Sequence, residues 1–393
     1  MKIAIITFFD NGNYGSELQT LAMNDYLNAK GHVTVFCKVK SSNKIIRAIE
    51  LLYDKVLLKW YKITDKEKRQ YLTDRAKNLS SQRNIPPKLR QYIHSFVNSH
   101  ISFGCISRLL LFRKERFDAY ICGSDQIWSA LKMPLLPLNF LYGIDKKKKI
   151  AYAPSIGLDN PPYYYIREVE KYVKDFIYLS VREEDAKNVL KKQYGIEAMQ
   201  VLDPTLLQGK GFWDSLLAIE SKQVPTKPYV FCYFLGKLNE DIVTCINRIA
   251  NGKCVMVLPY EEDCDLIKNG KYELADPLDF VNLIKHADYV LTDSFHGSIF
   301  SILYDKQFVV TKRTHVRRVS QTSRITSLLK IFNLQSQYCS GVDEIINALQ
   351  NNIDYSFTHI QLEEEQRKSR LFLDGALNEI EKNIKSRINI SII

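Results

Sequence analysis

His296-Gly297-Ser298 stands where a polar elbow turns into an apolar helical run. The stretch Ala287 to Thr311 reads ADYVLTDSFHGSIFSILYDKQFVVT. It predicts a short strand over Ala287 to Leu291, a turn at Thr292-Asp293-Ser294, a helix from Ser298 to Tyr304 and a strand over Phe308 to Thr311. Strand, elbow, helix, strand is the parallel α/β pattern, in which ligands bind beyond the carboxyl ends of the strands. His296 falls at that edge, at the start of a helix whose free N–H groups favour an anion. A side chain titrating near neutrality beside an anion seat suits proton transfer on a phosphate or carboxylate substrate. The plainer alternative is that His296 caps the helix or packs under the turn. Ser294 reads as a helix cap, and Asp293 as a cap or as a group orienting His296.

An anion seat needs fixed cations, and arginine suits carboxylates and phosphates through paired contacts. Arg182 ends the strand IYLSV and opens a helix, unless it is a surface residue paired with Glu183 or Glu184. The cluster KRTHVRRVSQTSR, after the strand that follows His296, offers Arg317, Arg318 and Arg324 as cations and His315 as a second proton carrier. Two further polar groups lie in βα loops: Asn13 with Glu17, and Asp125 with Gln126. Such residues are turn formers in most loops. No His/Cys/carboxylate grouping has the spacing of a metal site, so no metal is expected.

The elements that must position these groups form two α/β halves. A chain of 393 residues, 46% hydrophobic, favours two domains over one. No apolar run approaches a membrane span, and MKIAIITFF, broken by Asp10-Asn11-Gly12, reads as a buried first strand rather than a leader. The eight cysteines are scattered without a C-x-x-C pair, which suits free thiols in a reducing cytoplasm. Strand, glycine-containing turn DNGNYGSE, helix and strand HVTVFCK form a βαβ unit, but G-N-Y-G is not the nucleotide fingerprint. The polar stretch Ser221 to Lys227 marks a boundary. The expected parts are an α/β domain over 1–220, a second over 227–355 carrying the His296 unit, and a helical tail within 356–393 able to pack back on the first.

The net charge of +11 is concentrated: residues 41–114 hold 16 Lys/Arg against 5 Asp/Glu, which accounts for all of it. Tyr53, Trp60, Tyr61, Tyr71 and Tyr92 are interleaved there with apolar stretches such as LLYDKVLLKWY. A basic, mostly helical insertion over 41–115 is expected. Its composition suits an anionic membrane face, the alternatives being a solvated insertion and, last, nucleic acid, for which no motif is present.

NGNYGSELQTLAM at 11–23, GSDQIW at 123–128, YAPSIG at 152–157, SVREEDAKNVL at 180–190, VLDPTLL at 201–207 and LTDSFHGSIFSILYDKQFVV at 291–310 resemble, in order, the polysaccharide pyruvyl transferase family. The resemblance implies a GT-B-like pair of Rossmann-type domains facing a cleft. It also implies transfer of pyruvate from phosphoenolpyruvate to two hydroxyls of a sugar as a cyclic ketal, with no other cofactor. The family's catalytic histidine falls on His296 and its donor arginine on Arg182. The donor side would then comprise Arg182, Arg317, Arg318, Arg324, Gly297 and Ser298. Asn13, Glu17, Asp125 and Gln126 become candidates for holding acceptor hydroxyls. The implied setting is cytoplasmic assembly of bacterial surface polysaccharide on a lipid-linked saccharide, peripheral to the membrane. A glycosyltransferase using a nucleotide sugar, and a non-catalytic saccharide- or membrane-binding protein, are the competing readings.

Overall fold

The computed structural model describes residues 1–39, 44–67, 69–70, 73, 83–105, 117–129, 137–157, 161, 163–222, 224–314 and 322–391. Its first sheet contains β1 (Lys2–Ile6), β2 (Val33–Lys38), β3 (Phe103–Cys105), β4 (Ala119–Cys122), β5 (Lys149–Ala151), β6 (Tyr178–Val181) and β7 (Met199–Gln200), ordered β3-β2-β1-β4-β5-β6-β7. The second contains β8 (Tyr229–Tyr233), β9 (Cys254–Leu258), β10 (Gly270–Lys271), β11 (Tyr289–Thr292), β12 (Gln307–Thr311) and β13 (Tyr338–Cys339), ordered β10-β9-β8-β11-β12-β13. Every strand pair is parallel. Central strands such as β4 and β8 are buried at every residue, because helices cover both faces of such sheets.

In each sheet the strand order reverses once, at β1/β4 and at β8/β11. These are the switch points at which open α/β sheets form their ligand crevice. The chain is therefore α/β, with two Rossmann-like units facing a cleft in the GT-B-like manner.

The helices, in chain order, are α1 (Tyr14–Asn28), α2 (Lys44–Thr64), α3 (Pro87–His100), α4 (Tyr163–Val173), α5 (Glu184–Tyr194), α6 (Pro204–Leu207), α7 (Lys210–Glu220), α8 (Glu240–Ala250), α9 (Pro277–His286), α10 (Phe295–Leu303), α11 (Ser323–Ile331), α12 (Val342–Gln350) and α13 (Ser356–Ser391). Among its described residues the basic segment forms α2, α3 and β3, and only part of it is an insertion. Its later half, α3 with β3, is a regular unit of the first sheet: Leu89, Ile93, Phe96 and Val97 are buried and β3 pairs with β2. The short strand Phe103–Cys105 was masked in the sequence by the length of the helical pattern before it.

Helix α1 is buried on all sides from Tyr14 to Met23, because it lies between the two sheets. Its polar residues are engaged accordingly. Gln19 Nε2 donates to Thr7 Oγ1 and to the Phe8 carbonyl, each at 3.2 Å, and Thr20 Oγ1 donates to the Ser16 carbonyl at 2.7 Å. Across the divide, the Tyr14 ring stacks on Phe280 of α9 at 5.0 Å and its hydroxyl donates to the Ala275 carbonyl at 3.2 Å. One continuous apolar core thus includes Ile5 and Leu18 of the first unit with Phe231, Phe280 and Phe300 of the second.

The C-terminal helix α13 returns from the second unit to the first. Leu373, Ala376, Leu377 and Ile380 are buried, Asp374 binds Tyr26 and Lys30 of the first unit at 3.0 and 2.8 Å, and Arg370 donates to the Leu207 carbonyl at 2.7 Å. The tail is a strap across both units.

Tyr14→Ala should destabilise the protein by about 3–5 kcal/mol, the range for removing a buried aromatic ring. Denaturant unfolding would measure this, and a loss below about 1 kcal/mol would show that α1 does not join the two units.

Candidate active site

The cleft lies where the two switch points meet, and its closest approach is made possible by a glycine. Gly15 is in the first turn of α1 and His296 in the first turn of α10. A Cβ at position 15 would lie 2.0 Å from His296 Nδ1. Only a residue without a side chain lets the imidazole lie against the α1 backbone.

The loops beneath these helices are fixed by buried carboxylates. Glu17, 1% exposed, accepts from the backbone N–H groups of Asp10 and Asn11 at 2.9 and 3.2 Å. Burial pushes its carboxyl up to about 8 despite these bonds. Asp293 accepts from the N–H groups of Leu235 and Gly236 at 2.8 and 2.7 Å and from Arg313 Nε at 3.1 Å. It therefore holds the β8–α8 loop and does not orient His296. Ser294 caps α10, its hydroxyl accepting from the Gly297 N–H at 3.3 Å.

His296 faces a partner that the sequence reading did not single out. Its Nε2, buried and without a hydrogen bond, lies 3.7 Å from Asp203 Oδ1. Asp203 is the N-cap of α6, where Oδ1 accepts from the Thr205 N–H and hydroxyl at 3.1 and 2.8 Å. Its Oδ2 accepts from Ser124 Oγ at 2.9 Å and Arg182 Nη1 at 2.7 Å. Burial would raise the Asp203 carboxyl, but the neighbouring His296 and Arg182 outweigh it and hold it well below the usual carboxylate range. Asp203 was legible only as the Asp-Pro start of a helix, a capping signal, which conceals its second role.

Arg182 lies behind the cleft rather than in its wall. It is 4% exposed, bonded to Asp203, 3.5 Å from Asp125 Oδ1, and its guanidinium stacks 4.3 Å from the Phe295 ring. Burial works against its charge, and Asp203, Asp125 and Glu183 outweigh that effect and raise its pKa. Arg182 is not among the residues that line the cleft, and its Nε and Nη2 have no hydrogen-bond partner. Its geometry is that of a cation compensating Asp203.

The cleft itself measures about 530 Å³. One wall comes from the first unit: Asn11, Asn13, Ser16, Asp125 and Gln126. The other, from the second unit, includes Lys237, Asn239, Arg313, Thr314 and Arg324, with Ser294, Phe295 and His296 between the walls. Arg83, from the basic segment, closes the rim. It stacks 3.5 Å over Tyr260 and binds Asp263 at 2.7 Å and Glu262 at 2.5 Å. Four of the described lining residues are thus Lys or Arg and one is a carboxylate, Asp125; two of the four, Arg83 and Arg313, are already ion-paired with carboxylates of the second unit. Asp125 accepts from Ser16 Oγ at 3.0 Å. Burial would raise its carboxyl, and Arg182, His296 and Arg324 hold it low. Burial, with Arg182 nearby, pulls Arg324 down to about 10.

Of the residues named from sequence, the structure brings Asn13, Asp125, Gln126, Ser294, His296 and Arg324 to the cleft. Glu17 does not reach it, since both its oxygens are taken by loop amides. Nor do Gly297 and Ser298. The Gly297 N–H is used by the cap, and the Ser298 hydroxyl donates back to the Ser294 carbonyl at 2.9 Å. Gly297 serves a different need, because a Cβ there would lie 2.6 Å from Thr292 Oγ1. His315, Arg317 and Arg318 lie outside the described residues. Arg313 and Arg83 were missed: Arg313 stands in the same basic cluster as the residues chosen, and nothing in the sequence ties Arg83 to the second unit.

A family model described as polysaccharide pyruvyl transferase matches residues 13–315. A search of curated proteins gives no match. Among solved structures, the chain is similar to UDP-GlcNAc 2-epimerase from Neisseria meningitidis bound to UDP-GlcNAc, at 11% identity over 96% of this chain and 100% of that one, with a TM-score of 0.49. It is also similar to UDP-GlcNAc 2-epimerase from Methanocaldococcus jannaschii in complex with UDP-GlcNAc and UDP, at 14% identity over 95% and 99%, with a TM-score of 0.47.

Two outcomes follow from the buried charges. Arg182→Met leaves Asp203 uncompensated, and should cost about 3–5 kcal/mol in denaturant unfolding, against the small change expected of a surface arginine. For Glu17, the unfolded chain loses its proton near 4.5 and the folded chain keeps it to about 8. In that window the folded state binds more protons, so stability falls as pH rises. Glu17→Gln should flatten this slope, measured as the unfolding midpoint across pH.

Proposed function

We infer the reaction from one premise: the chain belongs to the polysaccharide pyruvyl transferase family. The donor is then phosphoenolpyruvate and the product a cyclic ketal of pyruvate on two hydroxyls of a saccharide. The observation that best supports this reading is the position of His296, between a cationic wall and a wall of amide and hydroxyl groups. A carboxylate and a phosphate close together on one small donor match the cations of Lys237, Arg313, Arg324 and Arg83. Asn11, Asn13, Ser16, Asp125 and Gln126 suit the hydroxyls of a sugar.

In the proposed sequence, His296 delivers a proton to the methylene carbon of the donor. Cationic character then develops at C2, and one acceptor hydroxyl adds there, losing its proton to the imidazole. The C2–O bond to phosphate breaks next. The second hydroxyl closes the ring at C2, and its proton leaves on the departing phosphate. Asp203, with Oδ1 3.7 Å from Nε2, fixes where the imidazole lies for the first step. The acceptor we propose is a lipid-linked saccharide of bacterial surface-polysaccharide assembly, handled at the inner face of the cell membrane.

His296→Ala should lower phosphate release from phosphoenolpyruvate, assayed over a panel of saccharide acceptors, by about 10²–10⁴ while donor binding survives. Arg313→Gln should weaken donor binding by about ten- to hundredfold in calorimetry. If a nucleotide sugar raises the melting temperature and phosphoenolpyruvate does not, the chain is a glycosyltransferase instead.

A further inference from the structure

Helix α2 presents its apolar side to solvent. Ile45, Ile49, Leu52, Val56, Trp60 and Ile63 are between 50% and 73% exposed. They follow one another at spacings of three and four residues, and so fall within an arc of roughly 80° at 100° per residue. Lys44, Lys55, Lys59 and Lys62, all exposed, occupy the adjoining arc of roughly 60° on one side of this stripe. An exposed apolar stripe of this length is not a usual feature of a monomer surface and marks an interaction site.

The helix is seated on the protein by a different side. Leu58 packs against the apolar cluster of Cys122, Trp128 and Leu179, and Asp65, just beyond the helix, lies 3.9 Å from Arg167 of α4. The strand before it, β2, ends at Lys38, which pairs with Asp10 beside the clamped β1–α1 loop. That is the edge of the first sheet from which the cleft opens. Among the described residues no helix is long and apolar enough to cross a membrane.

We propose that α2 is a membrane-docking helix, lying in the surface of an anionic bilayer with its apolar stripe among the acyl chains and its lysine row at the lipid phosphates. The charge decides between this occupant and a second copy of the chain. The helix carries Lys44, Arg47, Lys55, Lys59 and Lys62 against Glu50 and Asp54, so two copies would bring like charges together along their stripes. A negatively charged surface is attracted by the same residues that would repel a second helix. Docking here would hold the first unit, and the cleft it helps to form, at the membrane surface. The inference deepens the lipid-linked acceptor of the proposed function, because such a saccharide is held within reach of that surface.

The test reads binding rather than turnover, and so stands or falls separately from the reaction. The full chain is sedimented with vesicles of phosphatidylcholine alone and of phosphatidylcholine with phosphatidylglycerol. Binding should occur on the anionic vesicles and weaken as salt is raised. Leu52→Ser with Val56→Ser, and separately Lys55→Glu, Lys59→Glu and Lys62→Glu together, should each lower partitioning by at least about tenfold. These side chains are exposed, so both variants should unfold at the wild-type midpoint. Absence of binding, or equal binding to neutral and anionic vesicles, would overturn the proposal. So would a wild-type dimer in analytical ultracentrifugation that the serine variant converts to monomer.

Discussion

A single buried carboxylate organises this molecule. Asp203 is 2% exposed and keeps its charge because His296 and Arg182 lie beside it and Arg182, Ser124 and Thr205 donate to it. An ionised carboxylate buried without such partners would be neutralised, at large energetic cost. Its partners come from distant parts of the first unit: Ser124 follows β4, Arg182 follows β6, and Thr205 belongs to α6. The remaining neighbour, His296, belongs to the second unit. Satisfying the charge therefore fixes three loops of the first sheet and sets the place where the histidine of the second must lie.

That arrangement needs the two units to come closer than helices with ordinary side chains allow. Gly15 gives the space on α1, and Tyr14 beside it anchors the contact by stacking on Phe280. Catalytic geometry and domain docking thus depend on adjacent residues of one turn. The strap α13 adds a second tie through Asp374 and Arg370. In the proposed reaction such rigidity would serve a chemical purpose, since a proton donor is effective only when held within about half an ångström of its working position.

The sequence was most legible where one physical signal had one meaning. Apolar runs bounded by polar turns announced β1, β2, β11 and β12, and the elbow at Ser294 announced α10 with His296 at its start. Reading was poorer where one residue serves two purposes. Asp203 caps α6 through one oxygen, and nothing local in the sequence shows that the other faces Arg182. Glu17 reads as a polar loop residue free to meet a ligand, yet both of its oxygens are consumed by the loop itself. Arg182 reads as a cation at the strand edge awaiting an anionic ligand, and nothing local shows that Asp203, Asp125 and the Phe295 ring enclose it. The short strands β3, β7, β10 and β13 carry too few residues for an alternating or continuous pattern to register.

The concentration of charge in residues 41–114 also divides on the structure. Arg83 belongs to the cleft: it crosses to Asp263 and Glu262 of the second unit, and its stacking on Tyr260 makes it part of the wall that suits an anion. The lysines of α2 face solvent beside an apolar stripe. Composition alone assigns both groups to one basic segment with one partner. Burial separates them: a cation 9% exposed and paired with two carboxylates is fixed in place, whereas lysines in solvent keep their charge available to a surface. A short stretch of chain thus supplies both a fixed cation at the rim of the cleft and a row of solvent-facing lysines.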